Sequence, residues 1–405
     1  MRSTNRLSSA VAIAAVAALV AACSSSGGTK LTAASATDAA AAGTSAATNT
    51  SSAVAVASSA PASSAAGSAP ASAPASAGSA ETTTLNVGGQ YGPTGGIFDI
   101  AQYEGFFAKN GLKINAQTYA GGPPAVEALL AGRAKIASFA PSTSIETWQT
   151  ANPLVAVAFT SNAAPQYAIV TKKFLQSKGV DPATFASLPL AKRASYLKGT
   201  VWGTHATGGL IDHYTDILVG LGGLSPKDVT LVALGNNNAD EASFKGGRVN
   251  AIWVDQVTDA DFVKNQDAVN IFDPTDPAIA KQLAPVELSS GGSGWILSKK
   301  WADANTATLD KFLTALLQAA QWIKTHTADE QAQVVSKNNP ATPYAKILSY
   351  IKENAPYVPT DLTIPKASIE ANIDLAIDSN AIKATPRPPD NLLFDPSYLA
   401  ALKTS

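Results

Sequence analysis

Glycines and small polar residues recur in five short words, each where an extended run hands over to a helical one. They are Gly92-Pro93-Thr94-Gly95-Gly96, Gly121-Gly122-Pro123, Pro141-Ser142-Thr143, Ala206-Thr207-Gly208-Gly209 and Asn236-Asn237-Asn238. Backbone N–H groups at helix starts, helped by hydroxyl and amide side chains, can hold a small polar molecule without any covalent chemistry. The same residues cap helices, so each word alone is weak and the recurrence carries the weight.

Reactive chemistry is harder to find. "GTHATGGL" sets Gly203 and Gly208 at phosphate-loop spacing, but Gly209-Leu210 stands where Lys and Ser/Thr are required. "GGSGW" around Ser293 lacks the last glycine of a nucleophile elbow. His205, His213 and His326 are the only histidines, none at metal-ligand spacing, and surface or capping positions are expected for them. Carboxylates are scattered, so no acid/base pair is nominated. The expectation is a binding protein, not an enzyme, with no catalytic residue, cofactor or metal.

Charged residues make up 15% of the 405 and the net charge is −1, leaving no basic surplus for nucleic acid. There is one cysteine, Cys23, so neither a disulfide nor a thiol nucleophile can exist in the body of the chain. Arg2 and Arg6 precede "LSSAVAIAAVAALVAAC", the pattern of an export signal. Its Val20-Ala21-Ala22-Cys23 ending resembles the lipobox of bacterial lipoproteins, which implies cleavage and lipidation at Cys23. From Ser24 to Thr84 the chain is Ala, Ser, Thr, Gly and Pro with almost no charge or aromatic side chain. Such a segment cannot bury enough apolar area to order itself and reads as a tether. Its root-mean-square span would be roughly 45 Å.

The elements that must position the five words follow from the alternation of β-rich and helix-periodic runs, which argues for parallel βαβ units. Expected strands are Thr84–Gly88, Lys113–Tyr119, Lys135–Ala140, Leu154–Thr160 and Gln166–Thr171, with helices Ile97–Phe107, Pro124–Ala131 and Ser142–Thr150 between them. A second set repeats the logic: strands Thr200–Gly203, Val229–Leu234, Ala251–Val254 and Val269–Phe272, with helices ending at Gly222-Gly223, over Ala239–Lys245 and over Val257–Lys264. "ELSSGGSGWILSK" reads as a segment crossing back, and the rest is helical. From Asn305 to Lys324, Leu309, Phe312, Leu313, Leu316, Leu317, Ala320 and Ile323 form one apolar stripe, expected to be core. No repeat of solenoid period is visible.

The words "LNVGGQYGPTGGIFDIAQYEGFFAKNGLKI", "YAGGPPAVEALLAGRAKIASFAPST", "LKGTVWGT", "GGLSPKDVTLVAL", "FKGGRVNAIWVDQ" and "GWILSKKWADAN" together resemble the solute-binding proteins of ABC importers of the nitrate, sulfonate, taurine and pyrimidine-precursor group. The resemblance implies an α/β, two-lobed type II periplasmic-binding-protein fold, each lobe a mostly parallel sheet flanked by helices, with a helical C-terminal extension. Lobe I would be 85–171 with 287–405 and lobe II 172–286, after a signal peptide (1–23) and the tether (24–84). The family commonly has Asp where Lys135 and Asn250 stand, both at strand starts away from the cleft. Related thiamine-pyrimidine synthases carry a cysteine-rich iron motif that this chain lacks.

Residue by residue, the family's cleft loops fall on Thr94, Gly95, Gly122, Ser142, Thr143, Thr207, Gly208, Trp253 and Ser293, with Asp255 beside Trp253. Trp253 would stack on a flat ligand or pack in the core. Tyr91, Trp148 and Trp295 are secondary candidates, and Ser293 suits a hinge as well as a contact. Arg133 and Arg248 lie in turns before strands, and Arg193 and Arg387 lie outside the matched loops, so no arginine clamp for an anion is visible. Two ligand classes stay open: a sulfonate- or nitrate-like anion held by helix starts, and a neutral aromatic heterocycle held by Trp and Tyr. The implied protein is an extracytoplasmic, lipid-anchored monomer that passes its solute to ABC permease subunits. The alternative is a ligand-sensing surface lipoprotein without transport.

Overall fold

A computed structural model describes residues 82–89, 96–162, 165–265, 267–276, 278–279, 292–378 and 381–402. Ten strands form two five-stranded sheets with orders β2-β1-β3-β10-β4 and β7-β6-β8-β5-β9. In the first, β1 (Thr83–Gly89), β2 (Leu112–Thr118), β3 (Ile136–Phe139) and β4 (Leu154–Phe159) run one way, and β10 (Gly294–Ser298) runs antiparallel between β3 and β4. In the second, β6 (Val201–Thr204), β7 (Thr230–Ala233), β8 (Ala251–Val254) and β9 (Ala268–Phe272) play the same parts, and β5 (Tyr167–Thr171) runs antiparallel between β8 and β9.

The two sheets therefore share one topology, and each takes its odd strand from a chain arriving from the other. This corrects the expectation that 166–171 belongs with the first sheet. Tyr167 to Val170 pair with Val254 to Ala251, so the first crossing falls between Phe159 and Tyr167. At the other boundary, Thr83 and Thr84, assigned to the tether, already pair with Leu112 and Lys113.

Local chemistry explains the elements. The helix expected over Ile97–Phe107 is split into Ile97–Tyr103 and Phe106–Lys109, because Gly105 takes φ +71° and breaks the hydrogen-bond ladder. The Asn110-Gly111 pair ends the second piece, with Gly111 at φ +72°. Ser142–Thr150 shortens to Pro141–Ser144 followed by a 3-10 turn, Ile145–Thr147, and Ser144 and Thr147 donate their hydroxyls to the Pro141 and Ser144 carbonyls. Asn250, at the start of β8, accepts the Val201 N–H at 2.8 Å.

Packing differs between the sheets. One continuous apolar cluster surrounds the first and includes the helix Thr306–Thr325, where Leu309, Phe312, Leu313, Leu316 and Ala320 are fully buried and Leu317 and Ile323 partly so. The second sheet has two smaller clusters. The C-terminal helices are not confined to the first lobe. In the helix Lys366–Asp378, Ile369 and Ile373 join the first sheet's cluster while Leu375 joins the second's. In the helix Tyr344–Asn354, the Glu353 carboxylate accepts the Gln256 N–H at 2.8 Å.

Candidate functional site

Both crossings run side by side. Thr160 donates its N–H to the Ser293 carbonyl at 2.9 Å, and a Cβ on Gly292 would overlap the Ser161 carbonyl, so only glycine permits this approach. Beside this paired crossing the carboxyl ends of parallel strands of both sheets face one cavity of about 230 Å³.

From the first sheet, Ser138 near the end of β3, Gly122 at the start of the helix Gly122–Leu130, and Thr143 form one wall. Gly122 is required there: a Cβ would sit 2.7 Å from Thr143 Oγ1. That hydroxyl is buried and has no hydrogen-bond partner. From the second sheet come His205, Ala206, Gly209 and Asn237, with Gln166 and Ser293 at the crossings. The walls approach closely, since a Cβ built on Gly121 would lie 3.6 Å from that of Ala206.

The second wall is backed by carboxylates. His205 Nε2 meets Asn237 Oδ1 and lies 3.3 Å from Asp240 Oδ2, and Asp240 is 3% exposed with its other oxygen unpartnered. Asp212, in the first turn of the helix Leu210–Leu221, accepts the Gly208 N–H at 2.7 Å. Burial pushes the Asp212 carboxyl above the usual range, a push the Gly208 N–H only partly offsets. Burial also raises Asp216 and lowers His213, four and one residues away on the same helix.

Of the cleft residues expected from the sequence, Gly122, Thr143 and Ser293 are brought together in this cavity, with Gly121, Ala206, Gly209 and Asn237 of the five words. Thr94 and Gly95, with Tyr91 and Cys23, lie outside the described residues. Ser142 is fully buried behind the wall, and Thr207 and Gly208 are exposed beside it. Asp255 turns back to accept the Thr258 N–H at 2.7 Å, a helix cap. Trp253 is a core residue of the second lobe: its Nε1–H donates to Thr215 Oγ1 at 2.9 Å, and its ring packs on Trp202, Tyr214 and Phe272. The central strand β8 is buried throughout, so its indole finds side chains, not the cleft. Trp148 packs partly buried on the first sheet's cluster.

Sequence reasoning missed Ser138, Gln166 and His205. His205, expected at a surface or capping position, follows β6 directly and lines the cavity, and a strand's carboxyl end was the available signal.

A second cavity, about 500 Å³, opens on the other side of Ser138 and Ser293, which line both. Its wall includes Trp295, one of the secondary candidates, 1% exposed and with its indole N–H unpartnered.

No curated protein sequence matches the chain. Among solved structures, the alkanesulfonate-binding protein of Xanthomonas axonopodis pv. citri bound to MOPS is 17% identical with a TM-score of 0.57, covering 78% of this chain and 99% of that one. The nitrate-binding protein of Synechocystis is 15% identical with a TM-score of 0.60, covering 80% and 89%. A Candida albicans protein described as having the generic periplasmic binding protein fold is 15% identical with a TM-score of 0.53, covering 77% and 93%. These likenesses establish the two-lobed α/β fold of periplasmic binding proteins. The NMT1-like family matches residues 78–337, more than half of the sequence, and the chain belongs to that family.

Proposed function

We propose that this chain is an extracytoplasmic solute-binding lipoprotein of an ABC importer. The first lobe would be 82–162 with most of 292–402, and the second 165–279, hinged at Ser161 and Ser293. A small solute enters between the lobes and is carried to the permease, and Cys23 holds the protein at the membrane through its acyl chains. The observation that carries this reading is the cavity formed where strand ends of two sheets of identical topology converge across a double crossing. The names of the alkanesulfonate- and nitrate-binding structures support a sulfonate- or nitrate-like solute, and the aromatic side chains nearby support a heterocyclic one.

Deleting the chain should abolish uptake of one solute, and that solute should raise the melting temperature of the purified protein, because ligand bound only to the folded state stabilises it. Uptake unchanged for every solute would overturn the transport reading. Cys23→Ala should shift the protein from the membrane to the soluble extracytoplasmic fraction, and unchanged membrane retention would contradict the anchor.

A further inference from the structure

Among the described residues, the helix starts that line the smaller cavity are poorly equipped for an anion. Of the four N–H groups that a helix start leaves unbonded, Pro123 and Pro124 remove two from the helix Gly122–Leu130. Pro141 lacks another, and the Thr143 N–H goes to the Ala140 carbonyl. On the opposite wall, the Gly209 N–H goes to the Ala206 carbonyl and the Gly208 N–H to the Asp212 carboxylate. The Ala239 N–H is taken by the Asn236 side chain.

Charge points the same way. Among the described residues lining the cleft cavity there is no lysine or arginine, and its one histidine leans on the buried Asp240. Asp212 occupies the end of the helix Leu210–Leu221 where an anion would otherwise sit. A bound anion would have two buried carboxylates behind its wall and, among the described residues, no cationic clamp.

Size and surface give an independent observation. The larger cavity exceeds by far the needs of nitrate or a short sulfonate and falls within the roughly 300–1,000 Å³ of sites for drug-sized molecules. Ile97, Phe98, Trp295, Ile351 and Val358 make it largely apolar, and Asp99, 8% exposed, adds a carboxylate to its wall. Its one lysine, Lys324, is exposed, and His326 is stacked on Trp322 at 3.9 Å.

Resting on the solute-binding reading above, we propose that the solute is an uncharged or cationic amphiphile, not a compact anion. Its hydrogen-bonding end lies in the cleft against Thr143 and Ser138, and its apolar ring or chain fills the cavity beyond Ser293. Thr143 Oγ1, buried and unpartnered on the cleft wall, accepts from or donates to that polar end once the lobes close.

Spent-medium mass spectrometry tests this on cells carrying the full chain, the deletion, or the deletion complemented by wild type or by Ala328→Phe. Ala328 lines the larger cavity at the start of the helix Ala328–Asn338 and is not among the residues lining the smaller one, so a phenyl ring there would take up part of the space for the apolar end. The expected result is a neutral or cationic amphiphile whose uptake falls at least tenfold on deletion, returns with wild type and stays low with Ala328→Phe, while that variant keeps its melting temperature within a few degrees. Dependence confined to nitrate, sulfonates or other small anions overturns the proposal and leaves the transport reading standing, as does full rescue by Ala328→Phe. If no compound depends on the chain, the transport reading fails and the proposal with it.

Discussion

The two lobes share a strand order but differ in what stands at the cleft. The first presents hydroxyls on proline-sealed helix starts, with one continuous core and, among the described residues, no carboxylate in its share of the smaller cavity. The second presents a histidine backed by Asp240 and, beside it, a helix start occupied by Asp212, over a core divided into two. One topology thus yields a half whose described residues on the smaller cavity are glycines, hydroxyls and apolar side chains, and a half with titratable groups at and behind its wall.

The largest effect should come from the second lobe's core. Trp253→Ala removes an indole packed on three aromatic rings and should cost about 3–5 kcal/mol, read as a large fall in melting temperature. Unchanged stability with weakened solute binding would return Trp253 to the cleft. On the first lobe, Gly122→Val drives a side chain into Thr143 and should cost about 1–3 kcal/mol while abolishing uptake. Uptake that survives would show that this wall does not touch the solute.

The comparison sharpens with pH. Burial raises Asp259 to about 6, with Asp273 and Asp255 adding to the rise and Asn270 opposing it. The folded chain therefore holds this proton more tightly than the unfolded one. Its contribution to stability is complete below the ordinary carboxyl value and is lost as pH rises through about 6. Asp259→Asn should flatten that decline and raise the melting temperature at pH 7 by a few degrees, and a steeper decline would reverse the assignment. The smallest effect is expected at the strap between lobes. Glu353→Ala loses the hydrogen bond from Gln256 and should cost about 1 kcal/mol, seen in denaturation curves.

Much of this was legible in the sequence. Strand and helix periods give nearly every strand and the helices between them, because each sheet is built from consecutive βαβ units whose apolar runs and glycine stops are local signals, whereas the short helices over 172–195 were not named. Membership of β5 was not legible, since 167–171 reads as the same buried strand in either sheet and only long-range pairing with β8 decides. For Trp253 the strand was right and the direction wrong. A strand buried on both faces gives no alternation to show which way a side chain points. His205 and Asp240, 35 residues apart, meet because β6 pairs with β7 and Asp240 lies in the first turn of the helix that follows β7, and no spacing rule in one chain reports such a pair.

Closure of the lobes on a solute can be measured directly. With Cys23→Ala, spin labels on Leu130→Cys and Leu221→Cys would report the distance between lobes, both sites being exposed and the body free of other cysteines. On adding the low-molecular-mass fraction of the growth medium, the distance distribution should shorten and narrow, and Gly122→Val should prevent it. A distribution that stays unchanged while the same fraction raises the melting temperature would place the solute outside the cleft and contradict the account.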